Sequence, residues 1–280
     1  MKTCLPGSIK ALAFDLDGTL TNSKKCLLDS SKLSISHFQS LGTTIILASG
    51  RPLLGVLPIA RLLELDKKGG FLICLNGALI YDCKNKKALF DSVIPASILP
   101  SVFSFAKSVG IASLTYDDTS VVTESPQDHY VAIEARNNAI PIKGVPNLSA
   151  YVSFPIEKVM FVGLPSKISA FIGSMQKAFP QLAIYQSEPY FLEIMNQGIN
   201  KRAALSFLLN HLNIEPKQLM SFGDGLNDLP MLEYSGVSIA MGNAPLEVKK
   251  EADYVTKSND DDGISWALGL YERGELCLKE

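Results

Sequence analysis

Two short stretches of the sequence carry acidic residues at spacings that suit metal and phosphate chemistry. Asp15 and Asp17 lie two residues apart in FDLDGTL, and Asp224 and Asp228 lie four apart in GDGLND. Carboxylates gathered in a small volume repel one another and need a cation to stay ionised. Because Asp15, Asp224 and Asp228 offer oxygen ligands without His or Cys, Mg²⁺ is the expected ion. One of these carboxylates could then attack phosphorus as a nucleophile.

Further polar residues could supply what a phosphoryl group needs. Lys201, which opens a helical segment, offers a positive charge, while the Ser49 hydroxyl and the Gly50 N–H in LASGR offer hydrogen bonds. In an extended chain Asp17 points away from Asp15. Once the following Gly-Thr pair turns the chain back, Asp17 could protonate a leaving oxygen and later activate water.

Several of these residues have competing interpretations. Arg51 could clamp phosphate or pair with a second domain. Asn76 in LNGA could contact a substrate, although an Asn-Gly pair is a turn signal in its own right. Ser49 could instead be only a helix cap, and Asp224 and Asp228 could be acids at a helix start.

The segments around these residues alternate between apolar strands and helices. KALAFDLD, TTIILASG and GFLICLNGA have the pattern of buried strands, and QLMSFGDG and GVSIAMG resume it near the C-terminus. This alternation predicts an α/β fold with a doubly wound parallel sheet buried on both faces. Ligands of such sheets bind beyond the carboxyl ends of the strands, where the candidate residues stand.

The middle of the chain has a different pattern of strands. Short strands rich in β-branched and aromatic residues follow one another between residues 84 and 194, and only the turn YDDTS separates two of them. Adjacent strands with so short a link pair antiparallel. We therefore expect an inserted α+β domain at 84–194, with 1–83 and 195–280 folding together as the core.

Charge and hydropathy exclude several kinds of partner. The formal net charge is −2 and no run of Lys and Arg exceeds two residues, so neither nucleic acid nor an anionic membrane is expected to bind. No apolar segment reaches the roughly 18 residues that cross a bilayer, and the N-terminal residues lack a signal-peptide pattern. The sequence predicts a cytoplasmic protein whose partner is a small molecule.

The ordered stretches DLDGTL, LASGR, GINK and GDGLND resemble the four motifs of haloacid dehalogenase superfamily phosphatases, in particular the Cof-type subgroup with its large type IIB cap. The resemblance extends over essentially the whole chain and implies Mg²⁺-dependent phosphoryl transfer through an aspartyl-phosphate. It implies that Asp15 is the nucleophile and that Asp17 is the acid/base and also gives its backbone carbonyl to Mg²⁺. It further implies phosphate ligands (Ser49, Gly50, Lys201), direct metal ligands (Asp15, Asp224), an outer-shell metal partner (Asp228) and a phosphate or substrate contact (Asn227).

The substrate implied by this resemblance is a small phosphate monoester. Sugar phosphates are the leading class, pyridoxal phosphate and flavin mononucleotide are also compatible, and the inserted domain is expected to set the specificity. Two alternatives stay open: a phosphomutase or phosphotransferase that passes the phosphoryl group to a sugar hydroxyl, and a non-catalytic regulatory module that keeps it on Asp15. Arg202 and Leu226 depart from the family pattern, which leaves the local substrate contacts open.

Overall fold

The computed structural model describes residues 2–3 and 8–278 of the chain. Its strands are β1 Lys2–Thr3, β2 Ala11–Phe14, β3 Thr44–Ala48, β4 Phe71–Cys74, β5 Leu79–Asp82, β6 Lys87–Asp91, β7 Ala112–Tyr116, β8 Val121–Thr123, β9 Ile142–Gly144, β10 Lys158–Val162, β11 Leu182–Glu188, β12 Phe191–Asn196, β13 Leu219–Gly223, β14 Val237–Ala240, β15 Tyr254–Val255 and β16 Cys277–Leu278. Its helices are α1 Asp29–Ser40, α2 Leu53–Leu62, α3 Leu65–Lys68, α4 Leu99–Ser108, α5 His129–Asn138, α6 Leu148–Tyr151, α7 Pro165–Ala178, α8 Lys201–Leu212, α9 Leu229–Tyr234, α10 Leu246–Glu251 and α11 Gly263–Glu272. Short 3-10 turns cover Leu75–Gly77, Pro216–Gln218 and Leu226–Asp228. No helix among the described residues is long and apolar enough to span a bilayer.

The largest sheet of the described residues has eight strands in the order β15-β14-β13-β2-β3-β4-β5-β6. The strands from β15 to β4 run parallel. Two neighbouring interior strands, β2 and β13, are buried along their whole length, and the rings of Phe14 and Phe222 stack there with centroids 5.0 Å apart. Continuously apolar strands are what a parallel sheet covered on both faces requires. The predicted α/β class is therefore confirmed.

One side of this sheet departs from the parallel pattern. β4 pairs antiparallel with β5, because the 3-10 turn Leu75–Gly77 between them is too short for the crossover that parallel strands need. Asn76 lies in this turn with a left-handed backbone, at φ +53°. Its Asn-Gly pair therefore acts as a turn signal, as one of the two sequence interpretations expects, and still stands at the end of a strand.

The chain divides into two compact units. Of the described residues, unit 1 takes those within Met1–Gly50, Val56–Leu89 and Asn200–Glu280, and unit 2 takes Arg51–Gly55 and Phe90–Ile199. The main insertion thus begins and ends a few residues later than the range 84–194 expected from the sequence, because β6 still belongs to the eight-stranded sheet. The short segment 51–55 groups with unit 2, since Leu54 packs against one of its apolar clusters.

Unit 2 is built on a six-stranded sheet in the order β11-β12-β10-β7-β8-β9. Its strand pairs are antiparallel except for β8 with β9, and β7 pairs antiparallel with β8 across the YDDTS turn as expected. Alternate residues of β10 face opposite sides of the sheet. Val159 and Phe161 pack with α4 and α7, whereas Met160 and Val162 pack with α5. Unit 2 therefore has an apolar core of its own.

Candidate active site

The acids predicted to bind a metal meet at the carboxyl ends of two neighbouring strands of unit 1. Asp15 follows β2 directly, Asp224 follows β13, and Asp228 ends the 3-10 turn that comes next. One carboxylate oxygen from each of the three lies within 4.8 Å of the other two. Asp15 and Asp228 are buried, and Asp224 is partly buried. Parallel neighbouring strands thus bring together acids that are far apart in the chain.

Lys201 lies against two of these acids. It is the first residue of α8, whose N-cap Asn200 accepts a hydrogen bond from the Ala203 N–H (2.9 Å). Lys201 Nζ donates to Asp15 Oδ1 (2.5 Å) and to Asp228 Oδ1 (2.6 Å), and the residue is 1% exposed. A buried ammonium is tolerated only when it is paired and hydrogen-bonded. The two carboxylates supply that pairing.

Backbone and side-chain donors hold the other oxygens of the cluster. Asp228 Oδ2 accepts the backbone N–H of Asp224 (3.0 Å) and of Gly225 (2.9 Å). Asp224 Oδ1 accepts a hydrogen bond from Thr19 Oγ1 (2.6 Å). Gly18 permits this approach, because its φ is +85° and any Cβ there would collide with the Asp224 carboxylate. The Gly-Thr pair of FDLDGTL therefore helps to place an acid from the other end of the chain.

Burial and mutual repulsion shift the acid–base properties of the cluster. Burial first, and then the charge of Asp228, raise the pKa of Asp15 to about 8, although Lys201 opposes the shift. Burial also raises the pKa of Asp224 to about 6, against the hydrogen bond from Thr19. Burial alone would lower the pKa of Lys201, but the carboxylates of Asp15 and Asp228 raise it, so the ammonium stays charged. A single lysine leaves part of the negative charge of the cluster uncompensated.

The carboxylate oxygens of the cluster are suitable ligands for a hard divalent cation. Asp15, Asp224 and Asp228 offer converging carboxylate oxygens, which are the ligands that Mg²⁺ prefers. A divalent charge beside Asp15 and Asp224 would favour their ionised forms and so lower the two pKa values that burial raises. The residues present therefore fit the ion expected from the sequence.

Asp17 lies on the loop that follows Asp15. Its carboxylate is 36% exposed and forms an ion pair with Lys25 Nζ. The loop turns back on itself, since Thr21 bridges to Asp17 and its hydroxyl donates to Leu16 O (2.9 Å). A carboxylate that is open to solvent can exchange protons with water, as an acid/base requires.

Three of the predicted phosphate or substrate contacts, Ser49, Gly50 and Asn76, follow the ends of β3 and β4. Ser49 is buried, its N–H donates to Ile73 O (2.8 Å), and its carbonyl accepts the Asn76 N–H (2.9 Å). Gly50 lies against the Asn76 side chain. Asn227 Nδ2 donates to Asn76 Oδ1 at 3.4 Å. The structure therefore brings Ser49, Gly50, Asn76 and Asn227 together.

Arg51 is placed differently from the other phosphate-binding candidates. Ser49 and Gly50 belong to unit 1, whereas Arg51 groups with unit 2, and its Nη1 lies 3.5 Å from Gly55 O. Both interpretations of Arg51 from the sequence stay predictions.

The structure also implicates residues that sequence reasoning did not assign to the site. Thr19, interpreted from the sequence only as a turn residue, donates to Asp224, and so does Asn243, whose Nδ2 lies 3.3 Å from Asp224 Oδ2. Asn243 comes just after β14, as Ser49 comes just after β3. A polar residue beyond the carboxyl end of a parallel strand is a usable signal, so Asn243 could have been found by the same rule.

The two departures from the family pattern both lie on the surface. Leu226 is 60% exposed. Arg202 is exposed, and its guanidinium carbon lies 5.6 Å from the centroid of the Tyr234 ring. Neither side chain replaces a member of the acidic cluster.

The chain is similar to a known family of hydrolases, to phosphatases and to solved structures. The family model described as haloacid dehalogenase-like hydrolase matches residues 12–268. The 5-amino-6-(5-phospho-D-ribitylamino)uracil phosphatase YcsE of Bacillus subtilis is 28% identical over 93% of this chain and 94% of its own length. The pyridoxal phosphate phosphatase YbhA of Escherichia coli is 27% identical over 91% of this chain and 96% of its own length. The crystal structure of a haloacid dehalogenase-like hydrolase from Bacteroides thetaiotaomicron is 36% identical, with a TM-score of 0.91 over 93% of this chain and 98% of that chain.

Proposed function

The chain belongs to the haloacid dehalogenase-like hydrolase family, and we propose that it is a Mg²⁺-dependent phosphatase that hydrolyses a small phosphate monoester through an aspartyl-phosphate. The family resemblance of the four motifs is confirmed, and phosphatases are among the relatives. The observation that supports Mg²⁺ dependence and an aspartyl-phosphate is the cluster of Asp15, Asp224 and Asp228 with the buried Lys201. This arrangement combines a candidate nucleophile, oxygen ligands for a cation and a fixed positive charge.

The proposed reaction has two steps, with Asp15 as nucleophile and Asp17 as acid and then base. In the first, an Asp15 oxygen bonds to phosphorus while the bond from phosphorus to the leaving oxygen breaks, and Asp17 gives that oxygen its proton. In the second, Asp17 takes a proton from water as the water oxygen bonds to phosphorus and the bond to Asp15 breaks. An alcohol and inorganic phosphate leave, and both acids return to their starting forms.

Other residues would bind and orient the phosphoryl group. Lys201 supplies a positive charge, and Ser49 and Gly50 supply hydrogen bonds to the phosphoryl oxygens. The buried pairing of Lys201 supports this role, because it holds the ammonium at a defined position beside Asp15. Arg51, Asn76 and Asn227 are proposed as contacts to the phosphate or to the rest of the substrate.

The cation would be held by the acidic cluster. Asp15, Asp224 and the Asp17 carbonyl are the proposed direct ligands of Mg²⁺, with Asp228 outside them. When bound, the ion offsets negative charge on the phosphoryl oxygens and on the carboxylates. Asp228 suits an outer position, because its oxygens already accept hydrogen bonds from Lys201 and from two backbone N–H groups.

The proposed substrate is a small phosphorylated metabolite, with sugar phosphates as the leading class. Support comes from two relatives whose names specify a phosphorylated ribityl compound and pyridoxal phosphate. The net charge of −2 does not favour the binding of a polymeric phosphate. Unit 2 is proposed to set which ester is accepted.

A screen of phosphate esters against the full chain tests this function. Wild type should release inorganic phosphate only when Mg²⁺ is present, and Asp15→Asn should lose roughly 1,000-fold or more of the rate, since an amide cannot replace the nucleophile. Asp66→Asn, which changes an exposed acid outside the cluster, is the matched control and should keep the wild-type rate. Full activity in Asp15→Asn would show that another group attacks phosphorus.

The same reactions separate hydrolysis from the two alternatives. A phosphotransferase would move phosphate to an added sugar or alcohol in preference to water. A regulatory module would retain about one phosphate on each chain without turnover. Free phosphate, acceptor product and protein-bound phosphate are therefore measured together, and the proposal requires that free phosphate predominate.

A further inference from the structure

We propose that Asn243 is a positioning residue of the cation site, which orients the Asp224 carboxylate and ties it to the loop that begins at Asp17. This inference rests on the proposed function, because it concerns the Mg²⁺ ligands named there. Asn243 is outside the four sequence motifs and lies in the turn after β14. Its side chain forms hydrogen bonds to three other strand-end loops of unit 1.

The side-chain amide of Asn243 uses both of its ends. Nδ2 donates to Gly18 O (2.8 Å) and to Asp224 Oδ2 (3.3 Å), while Oδ1 accepts the backbone N–H of Asn259 (3.1 Å). A backbone N–H can only donate, so it determines which end of the amide is the carbonyl. The NH₂ end must therefore face Gly18 and Asp224.

Two donors hold Asp224, one at each carboxylate oxygen. Oδ1 accepts from Thr19 Oγ1 at 2.6 Å, and Oδ2 accepts from Asn243. Each oxygen of a carboxylate has about two lone-pair directions, so each keeps one for a cation. Donors of this kind orient a metal ligand, and their removal typically costs about 10- to 100-fold in metal affinity or activity.

The acidic segment KSNDDD, residues 257–262, adds further hydrogen bonds to the same loop. Asn259 Nδ2 donates to Thr21 O (3.0 Å), and Asp260 Oδ1 accepts the Ser23 N–H (2.8 Å). Composition alone indicates a solvated loop here, but these side chains hold the loop that follows the first motif. The side-chain amide of Asn243 connects this hydrogen-bonded loop to Asp224.

A comparison of two variants separates positioning from general loop stability. Asn259→Ala removes the bond to Thr21 O but keeps the backbone N–H that Asn243 accepts, so Asp224 retains its donor. Asn243→Ala removes the donor to Asp224. Both side chains lie at or near the surface, so neither substitution removes a part of the apolar core. A purely structural role predicts similar effects of the two variants, whereas positioning predicts a loss of metal affinity only in Asn243→Ala.

Calorimetric titration of Mg²⁺ into the chelator-treated full chain measures this difference. The Kd for Mg²⁺ should rise about 10- to 100-fold in Asn243→Ala and stay within about threefold of wild type in Asn259→Ala. The Mg²⁺ concentration that gives half the maximal rate should rise by the same factor, while kcat at saturating Mg²⁺ changes much less. Asn243→Ser should behave like Asn243→Ala, because a serine hydroxyl is too short to reach these partners.

The outcomes also distinguish this inference from the proposed function. Wild-type Mg²⁺ affinity in Asn243→Ala, or an equal loss in Asn259→Ala, would overturn the positioning role and leave the phosphatase proposal standing. Failure of wild type to release phosphate from any ester, with Mg²⁺ binding still dependent on Asn243, would overturn only the phosphatase proposal. Wild type that binds no Mg²⁺ would overturn both.

Discussion

Lys201 and its two acids depend on one another for charge compensation. The ammonium is bonded to Asp15 and Asp228, and all three residues are buried. Removing one partner of a buried ion pair leaves a charge without compensation and typically costs about 3–5 kcal/mol. The stability of unit 1 and the chemistry proposed for its acids are therefore coupled at Lys201.

Lys201→Met should weaken both activity and folding. Phosphate release should fall at least about 100-fold, because a fixed positive charge is lost. The free energy of unfolding should fall by about 3–5 kcal/mol without Mg²⁺, and Mg²⁺ should recover part of the loss. Steady-state assays and urea denaturation with and without Mg²⁺ measure these effects. Arg202→Met, which changes the exposed next residue of α8, is the control, and equal losses in both variants would contradict the special role of the buried lysine.

At the scale of elements, the turn between β4 and β5 packs against the start of α8. Gly77 has φ +116°, and a Cβ built there would lie 2.6 Å from Asn200 O. Asn200 is the N-cap of α8, whose first residue is Lys201. The turn and the helix start therefore set the position of the lysine together.

Gly77→Ala should push the N-terminus of α8 away from the turn and displace Lys201. We expect at least about a tenfold loss of phosphate release, since small misplacements of catalytic groups are costly. Gly42→Ala is the matched control, because Gly42 also has a positive φ (+86°) but no heavy atom lies within 4 Å of the added Cβ. It should cost only about 1–2 kcal/mol of backbone strain and leave activity unchanged. Activity assays and thermal melts of both variants measure these effects. A similar activity loss in Gly42→Ala would exclude the contact with Asn200 as the cause.

At the scale of the whole molecule, each unit has its own apolar core. A change of pH can therefore alter the stability of one unit without altering that of the other. Glu157 is an example in unit 2. Burial first, and then the charge of Asp91, raise its pKa from 4.5 to about 7, and Asp118 adds to the shift. Between these two pH values the folded unit holds a proton that the unfolded chain has lost. The stability of unit 2 should therefore fall as pH rises through this window.

Glu157→Gln stays neutral, so it should remove this dependence and stabilise unit 2 above pH 7 by up to about 3 kcal/mol. Amide hydrogen exchange of β7 and β10, compared at about pH 5 and about pH 8 after correction for intrinsic rates, reports on unit 2 specifically. Glu188→Gln changes an exposed acid of the same unit and is the control. Identical pH dependence in wild type and Glu157→Gln would refute the expected link.

Local patterns were sufficient to predict the fold class and the strand ends. A continuously apolar strand such as Ala11–Phe14 predicts a sheet covered on both faces, and an acid directly after it must stand at the sheet edge. The antiparallel pairing of β7 with β8 follows in the same way from the short YDDTS turn. These features depend on residues a few positions apart, and the sequence records such spacings directly.

Contacts between distant segments depend on how the folded chain packs. Lys201 bonds to Asp15 across 186 positions and Asn243 to Gly18 across 225, and no sequence period reports such pairs. The grouping of 51–55 with unit 2 was also beyond local patterns. Local patterns predict most of the strands and helices and the residue types at the strand ends. Packing determined the partners and the shifted pKa values, because burial and hydrogen-bond geometry arise only where distant parts of the chain meet.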